Sequence, residues 1–291
     1  MIEWYYLVLV SSVLMAAATI LEKRTLKSEH ATQYSAAFSW IIAIVSLAFL
    51  PLVNISQITP LQWFLLVVGS ILTSASYLIS ARVFKHGSLS VATPVSSSLP
   101  LFFIVLFAYT YLSERLSLIQ YAALAGLIVA TYLLLFNRQK SGKKKDFESS
   151  KYKYFLVINA LLAAMATIIG RYQLLDIGVF SFLVIIQILM AFEFAIFITL
   201  KYNGIREIAQ TAMTYRYTLI AIVLLTIAYR LTYYDVLSLP AVSVSIASTV
   251  RNSLFVIITV FFAGSMFKEQ GIRRKMLLGI LMVILSYILI V

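Results

Sequence analysis

The sequence predicts an all-α polytopic membrane protein, with ten transmembrane helices arranged as two inverted five-helix repeats. Three observations carry this prediction. The 291 residues are 62% hydrophobic and only 12% charged, with a mean hydropathy of +0.97. A soluble core of this size could not hide so much apolar surface, whereas apolar runs of about twenty residues suit a hydrocarbon slab ~30 Å thick. One long polar interval, Asn137 to Lys153 (NRQKSGKKKDFESSKYK), divides the chain almost in half. The two halves also repeat each other. Val13-Leu-Met-Ala-Ala-Ala-Thr-Ile20 matches Leu161-Leu-Ala-Ala-Met-Ala-Thr-Ile168 at an offset of 148, and Thr93, Ser96 and Ser97 match Ser245, Ser248 and Thr249 at an offset of 152.

Spans are expected at about 4–22, 32–52, 61–82, 89–112, 117–136, 154–174, 179–200, 216–237, 241–265 and 274–291. Each must be helical, because lipid offers no partner to backbone N–H and C=O groups. Polar turns mark their ends at Asn54–Pro60, Lys85-His86-Gly87, Ser113-Glu114-Arg115 and Lys268-Glu269-Gln270-Gly271, while 201–215 reads as a longer connection. Residues 1–137 form the first repeat, 138–153 a basic linker and 154–291 the second repeat.

Basic residues orient the chain. Nineteen Lys and Arg lie at the connections after odd-numbered spans, and two, Arg115 and Arg171, at those after even-numbered spans. The linker is therefore expected on the cytoplasmic side of a cell (inner) membrane, with both termini outside. Five spans per half is an odd number, so the second half enters from the opposite face. The net charge of +12 is accounted for by this orientation rather than by nucleic acid. The absence of cysteine excludes disulfides and thiol ligands. The N-terminus carries Glu3 and a run long enough to remain as a span, so no cleaved leader is expected.

Arg230 and Arg251 lie inside spans. An ionised side chain at the bilayer centre costs ~2.5–3.5 kcal/mol or more, so it is kept there only with a partner or a watered cavity. Counted from Pro240, both sit roughly 15 Å below the outer surface at ~1.5 Å per residue. Arginine's planar fork suits carboxylate or phosphate. The competing reading pairs one arginine with Glu193 as a structural tie. Thr226, Arg230, Tyr233 and Leu237 share a face with Tyr229 alongside, whereas Arg251 lies to the side of the face formed by Ser245, Ser248, Thr249 and Asn252. In span 4, Thr93, Ser96, Ser97 and Pro100 have the same spacing, and Pro94 and Pro100 each remove a backbone donor. Tyr77 matches Tyr229 at offset 152, and Asn159 matches Ser11 at offset 148. The candidate substrate-binding residues are therefore Arg230, Arg251, Tyr229, Tyr233, Asn252, Ser248, Tyr77, Ser96, Ser97 and Asn159. Small polar residues also let helices pack closely, and tyrosines also fill space, so each has a structural alternative. Asp235 is expected at the outer edge, in water. His30 and His86 stand in polar turns. No catalytic constellation, metal cluster, phosphate loop or cofactor motif is visible.

Pro94 and Pro100, followed by TYLSERLSLIQYAALAGLIVATYLLL (Thr110 to Leu135), and VFFAGSMFKEQGIRRKMLLGILMVILSYIL (Val260 to Leu289) resemble the drug/metabolite transporter (DMT) superfamily, in its ten-helix EamA branch. The resemblance implies that spans 1, 3, 4, 6, 8 and 9 line a central cavity while 5 and 10 pack behind. It also implies that the turn glutamates, Glu114 and Glu269, cap helices. Members that export cations by proton antiport carry a carboxylate in the middle of the first helix. Here that helix shows only Ser11, Ser12 and Thr19 as polar groups, which argues against such export.

The function expected is secondary, non-ATP transport of a small anionic or zwitterionic metabolite by alternating access. An amino acid, an organic acid or a phosphorylated compound would suit. The alternatives are export of neutral or cationic amphiphiles and, from another class, a membrane enzyme or lipid-handling protein on the same scaffold. The partners expected are the small-molecule substrate, the lipid bilayer, and a coupling proton or exchanged solute, with no nucleic acid.

Overall fold

The computed structural model describes residues 4–56, 58–87, 89–136, 150–201 and 204–267, and within the C-terminal segment residues 277, 278, 280, 281, 284, 285 and 288. Ten helices follow in order: α1 (Trp4–Leu26), α2 (Ala31–Ser46), α3 (Pro60–His86), α4 (Leu89–Tyr111), α5 (Leu118–Phe136), α6 (Ser150–Ile177), α7 (Val179–Lys201), α8 (Ile205–Thr214), α9 (Arg216–Ser238) and α10 (Val244–Phe267). A 3-10 stretch, Leu47–Leu52, extends α2. The described residues contain no strand. Eight of these elements are long and apolar enough to cross a membrane, and α5 adds the apolar run Leu118–Leu127. The predicted spans thus correspond to α1–α7, α9 and α10. The tenth, 274–291, falls mostly outside the described residues.

Local chemistry sets the boundaries. Thr59 and Gln62 form a reciprocal capping box at the start of α3, with Pro60 in its first turn, and Gly87 stops the helix. His30 caps α2 by accepting from Thr32 N–H. One residue, Gly178, links α6 to α7; its φ of +79° lies in the left-handed region, where a side chain would be strained. Both prolines of α4 lie within a continuous helix.

Two boundaries differ from expectation in ways that matter. α1 continues past residue 22 to Leu26, which puts Glu22 and Lys23 inside a buried helix end. The 201–215 connection contains the amphipathic helix α8, which packs on α2. There Gln33 Nε2 donates to Glu207 Oε2 at 3.0 Å, and Tyr215 donates to Ser28 Oγ at 3.0 Å.

The main packing pairs are α1 with α9 and α10, α6 with α3 and α4, α4 with α10, and α2 with α7. Helices of the two halves therefore bury their faces mainly against each other. Close approach needs small residues here: a Cβ on Gly69 of α3 would sit 3.3 Å from Ile169 Cγ2 of α6. α5 lies behind this group in a separate apolar cluster with Phe255, Val256, Leu278 and Leu285. Large side chains such as Phe64, Phe102, Phe192, Ile196 and Leu200 are exposed on the outside, as a lipid-facing surface requires.

Candidate functional site

α1, α2, α3 and α9 bring ionisable and phenolic side chains together where the halves meet. Glu22 on α1 and Arg230 on α9 are each 8% exposed. Tyr77 adjoins the Glu22 carboxyl and lies in electrostatic range of Arg230, with Tyr34 and Tyr229 close by. Phe38 backs the Tyr77 ring, their centroids 4.9 Å apart. Glu22 Oε1, Arg230 Nη1 and the hydroxyls of Tyr34 and Tyr77 are buried and have no hydrogen-bond partner among the described residues. Buried polar atoms left unpaired cost roughly 1–3 kcal/mol each, and ionised ones more. Four converging helices thus concentrate unpaired polar atoms in one place.

The second arginine belongs to an adjoining cluster. Arg251 lies half-buried with Cζ 3.6 Å from the Tyr233 ring centroid, a cation–π contact. The Tyr233 hydroxyl and Ser248 Oγ are 2.6 Å apart. Arg251 Nη2 donates to Asn252 Oδ1 at 3.4 Å, Asn252 Nδ2 donates to the Ser97 carbonyl at 2.9 Å, and Ser12 Oγ donates to the Arg251 carbonyl at 3.1 Å. The cluster thus joins α1, α4, α9 and α10, while Arg251 Nε, Thr93 Oγ1 and Ser96 Oγ remain buried and unpaired among the described residues. Tyr234 lies in range of both arginines and links the clusters.

The structure separates the ten expected site residues. Arg230 and Tyr77 lie beside Glu22, with Tyr229 next to Arg230. Arg251, Tyr233, Ser248, Asn252 and Ser97 form the adjoining cluster, with Ser96 on the same turn of α4. Asn159 stands apart: Ser76 Oγ donates to its Oδ1 at 2.8 Å, and its Nδ2 donates to Ser80 Oγ at 3.1 Å, so both ends are engaged with α3.

Three readings are corrected. Glu193 does not neutralise an arginine; its carboxyl accepts from Ser70 and from Ser74, the latter at 2.6 Å. The first helix is not limited to Ser11, Ser12 and Thr19 as polar groups, since Glu22 is buried in it. Eleven residues is close to three helical turns, so Ser11 and Glu22 share a face; the signal was present but hidden by ending the helix before the basic Lys23-Arg24. Arg171, counted above with a connection, is 4% exposed within α6 and donates through Nη2 to the carbonyls of Leu239 at 3.0 Å and Val242 at 2.9 Å.

Glu114 behaves as the resemblance implied for a turn glutamate. Its carboxylate accepts from Ser243 Oγ, from Val244 and Ser245 N–H, and from Ser245 Oγ, at 2.7–3.3 Å, and so caps α10 from the other half of the chain. Glu269 and the basic runs 143–145 and 273–275 lie outside the described residues. Asp235 is exposed, as expected. Among the described residues no group of three or more His, Asp or Glu could hold a metal ion. An open apolar cavity of about 320 Å³ lies away from the polar seam, between α4 and α5, lined by residues such as Phe102, Val105 and Tyr121.

A bundle of long apolar helices with paired-off halves and unpaired polar groups at their junction defines a multi-pass membrane protein with an internal polar site. Residues 2–136 match the EamA-like transporter family. The family is one of membrane transporters, consistent with the DMT superfamily. A solved protein crystal structure is similar over 97% of this chain and 94% of its own, with a TM-score of 0.71 at 15% sequence identity; the likeness is one of fold. No match is found among curated proteins.

Proposed function

We propose that the chain is a secondary transporter of a small zwitterion of the amino-acid class, which lies between Glu22 and Arg230. The observation that carries this reading is the pair itself: an acidic and a basic side chain, buried on different helices, each with an unpaired atom, and the Tyr77 phenol beside the acid. A carboxylate on the cargo suits Arg230 and an ammonium suits Glu22. Arg251 adds a second positive field, which favours a carboxylate over a purely cationic cargo. Alternating access between the halves is supported by the way helix pairs match. α1 on α9 has its counterpart in α6 on α3, and α1 on α10 has its counterpart in α6 on α4. Such matched pairings suit two units that rock about one seam. The basic face is placed in the cytoplasm, as the charge count predicts.

Counterflow into liposomes tests the cargo class, with the full chain loaded in turn with amino acids, dicarboxylates and quaternary ammonium compounds. The expected result is exchange of the amino acids alone, lost in both Glu22→Gln and Arg230→Gln. Exchange of dicarboxylates that survives Glu22→Gln would replace the zwitterion with an anion. Exchange of cations that survives Arg230→Gln would favour the cationic alternative, for which Glu22 is the supporting observation.

A further inference from the structure

Glu193 is a second acidic residue inside the membrane, and the proposed cargo site does not use it. It lies on α7, fourteen residues after Val179 and eight before Lys201, so it is well within the span. The neighbouring Phe192 and Ile196 face lipid. Its two carboxyl oxygens are each taken by a hydroxyl of α3: Ser70 Oγ on Oε1 and Ser74 Oγ on Oε2. Ser70 and Ser74 are one turn apart and share a face, so the acid is gripped from a single helix.

Among the described residues no cation reaches this group. α2 carries no charged residue in Ala31–Ser46, and its Tyr34 belongs to the seam. The charges of α3, Arg82 and Lys85, begin two turns beyond Ser74. Arg171 of α6 is committed to carbonyls near Leu239. Arg230 and the tyrosines of α9 surround one another and Glu22. Glu207 of α8 is bonded to Gln33, Arg206 is exposed, and Lys201 on α7 itself lies over the Phe197 ring. A carboxyl at this depth with only hydroxyl partners is held best as the neutral acid, which donates to one serine and accepts from the other.

The geometry points to Glu193 as a proton-binding site that couples proton movement to the rocking of α7 against α3. Loss of the proton leaves an anion that hydroxyls alone must hold in lipid, and so favours an arrangement that opens the group to water. α3 passes the change on, because Tyr77 of the proposed cargo site lies three residues after Ser74 on the same helix. The coupling role rests on the transporter reading above; the protonation of Glu193 does not.

The test has two arms on the reconstituted full chain. Infrared difference spectra between wild type and Glu193→Gln should show a protonated carboxylic acid C=O band that belongs to Glu193 and fades as pH rises. A difference spectrum without that band, or one in which sodium removes it at constant pH, overturns the proton site. In the second arm, Glu193→Gln should retain counterflow of labelled amino acids yet lose accumulation driven by a pH gradient, and Glu193→Asp should regain part of it. Gradient-driven accumulation that is unchanged in Glu193→Gln overturns the coupling, since glutamine keeps the hydrogen bonds and removes only the titration. Absence of counterflow in wild type would reject the cargo class and leave the infrared result standing.

Discussion

Lys23 at the end of α1 and Arg171 at the end of α6 stand 148 residues apart and make the same kind of contact. Lys23 Nζ donates to the carbonyls of Phe84 and, at 2.8 Å, Gly87, where α3 stops. Arg171 donates to the carbonyls of Leu239 and Val242, where α9 stops. Each cation donates to carbonyls at or just past the end of a helix, Lys23 at the end of α3 and Arg171 in the turn after α9. The residues just before them differ. Glu22 precedes Lys23, whereas Gly170 precedes Arg171. The other charge of the proposed site breaks the correspondence too: at offset 152, Arg230 falls on Leu78, although its neighbour Tyr229 falls on Tyr77. What the two halves share holds helices in place. What they do not share carries the charges proposed to hold cargo.

The sharpest way to break this comparison is to force the halves to agree. Gly170→Glu should prevent folding or cost more than ~4 kcal/mol, because it buries an unpaired charge. A Cβ at that position would already sit 3.1 Å from Phe182 Cζ. Expression and size-exclusion behaviour in detergent check this, and a normally folded variant would refute the asymmetry. Glu22→Gln and Arg230→Gln should each lower amino-acid counterflow at least tenfold, about 1.4 kcal/mol in binding, with thermal stability little changed. Lys23→Ala and Arg171→Ala should each cost roughly 2–3 kcal/mol, the loss of charge-assisted bonds to buried carbonyls, as read by thermal unfolding in detergent. Equal losses would sharpen the claim that the two cations do one job, and a loss confined to one would weaken it. The smallest effect is expected at Tyr233→Phe. Removing the contact with Ser248 should cost about 1 kcal/mol of stability and leave counterflow within a few-fold of wild type.

Much of this molecule was legible before its structure. Nine helices fall where apolar runs predicted them, because a bilayer leaves few ways to satisfy a backbone and the required length is fixed by its thickness. Arg230 stood out for the same reason: a charge in a span is costly enough to be noticed. Glu22 did not stand out, because an acid beside two basic residues reads as the wet end of a helix. Its burial follows from α1 running on to Leu26 and from α3 and α9 closing over it. Glu193 was visible, but its pairing was not, since Ser70 and Ser74 lie more than a hundred residues away in the chain.

The amino-acid order alone therefore determined that the chain is a polytopic membrane protein and which of the described segments are long and apolar enough to cross. These properties depend on composition and local period, which each segment carries by itself. The packed structure decided which polar groups meet at the seam and which of them stay unpaired. That outcome depends on how far each helix extends and which face its neighbours cover, and no single segment holds that information.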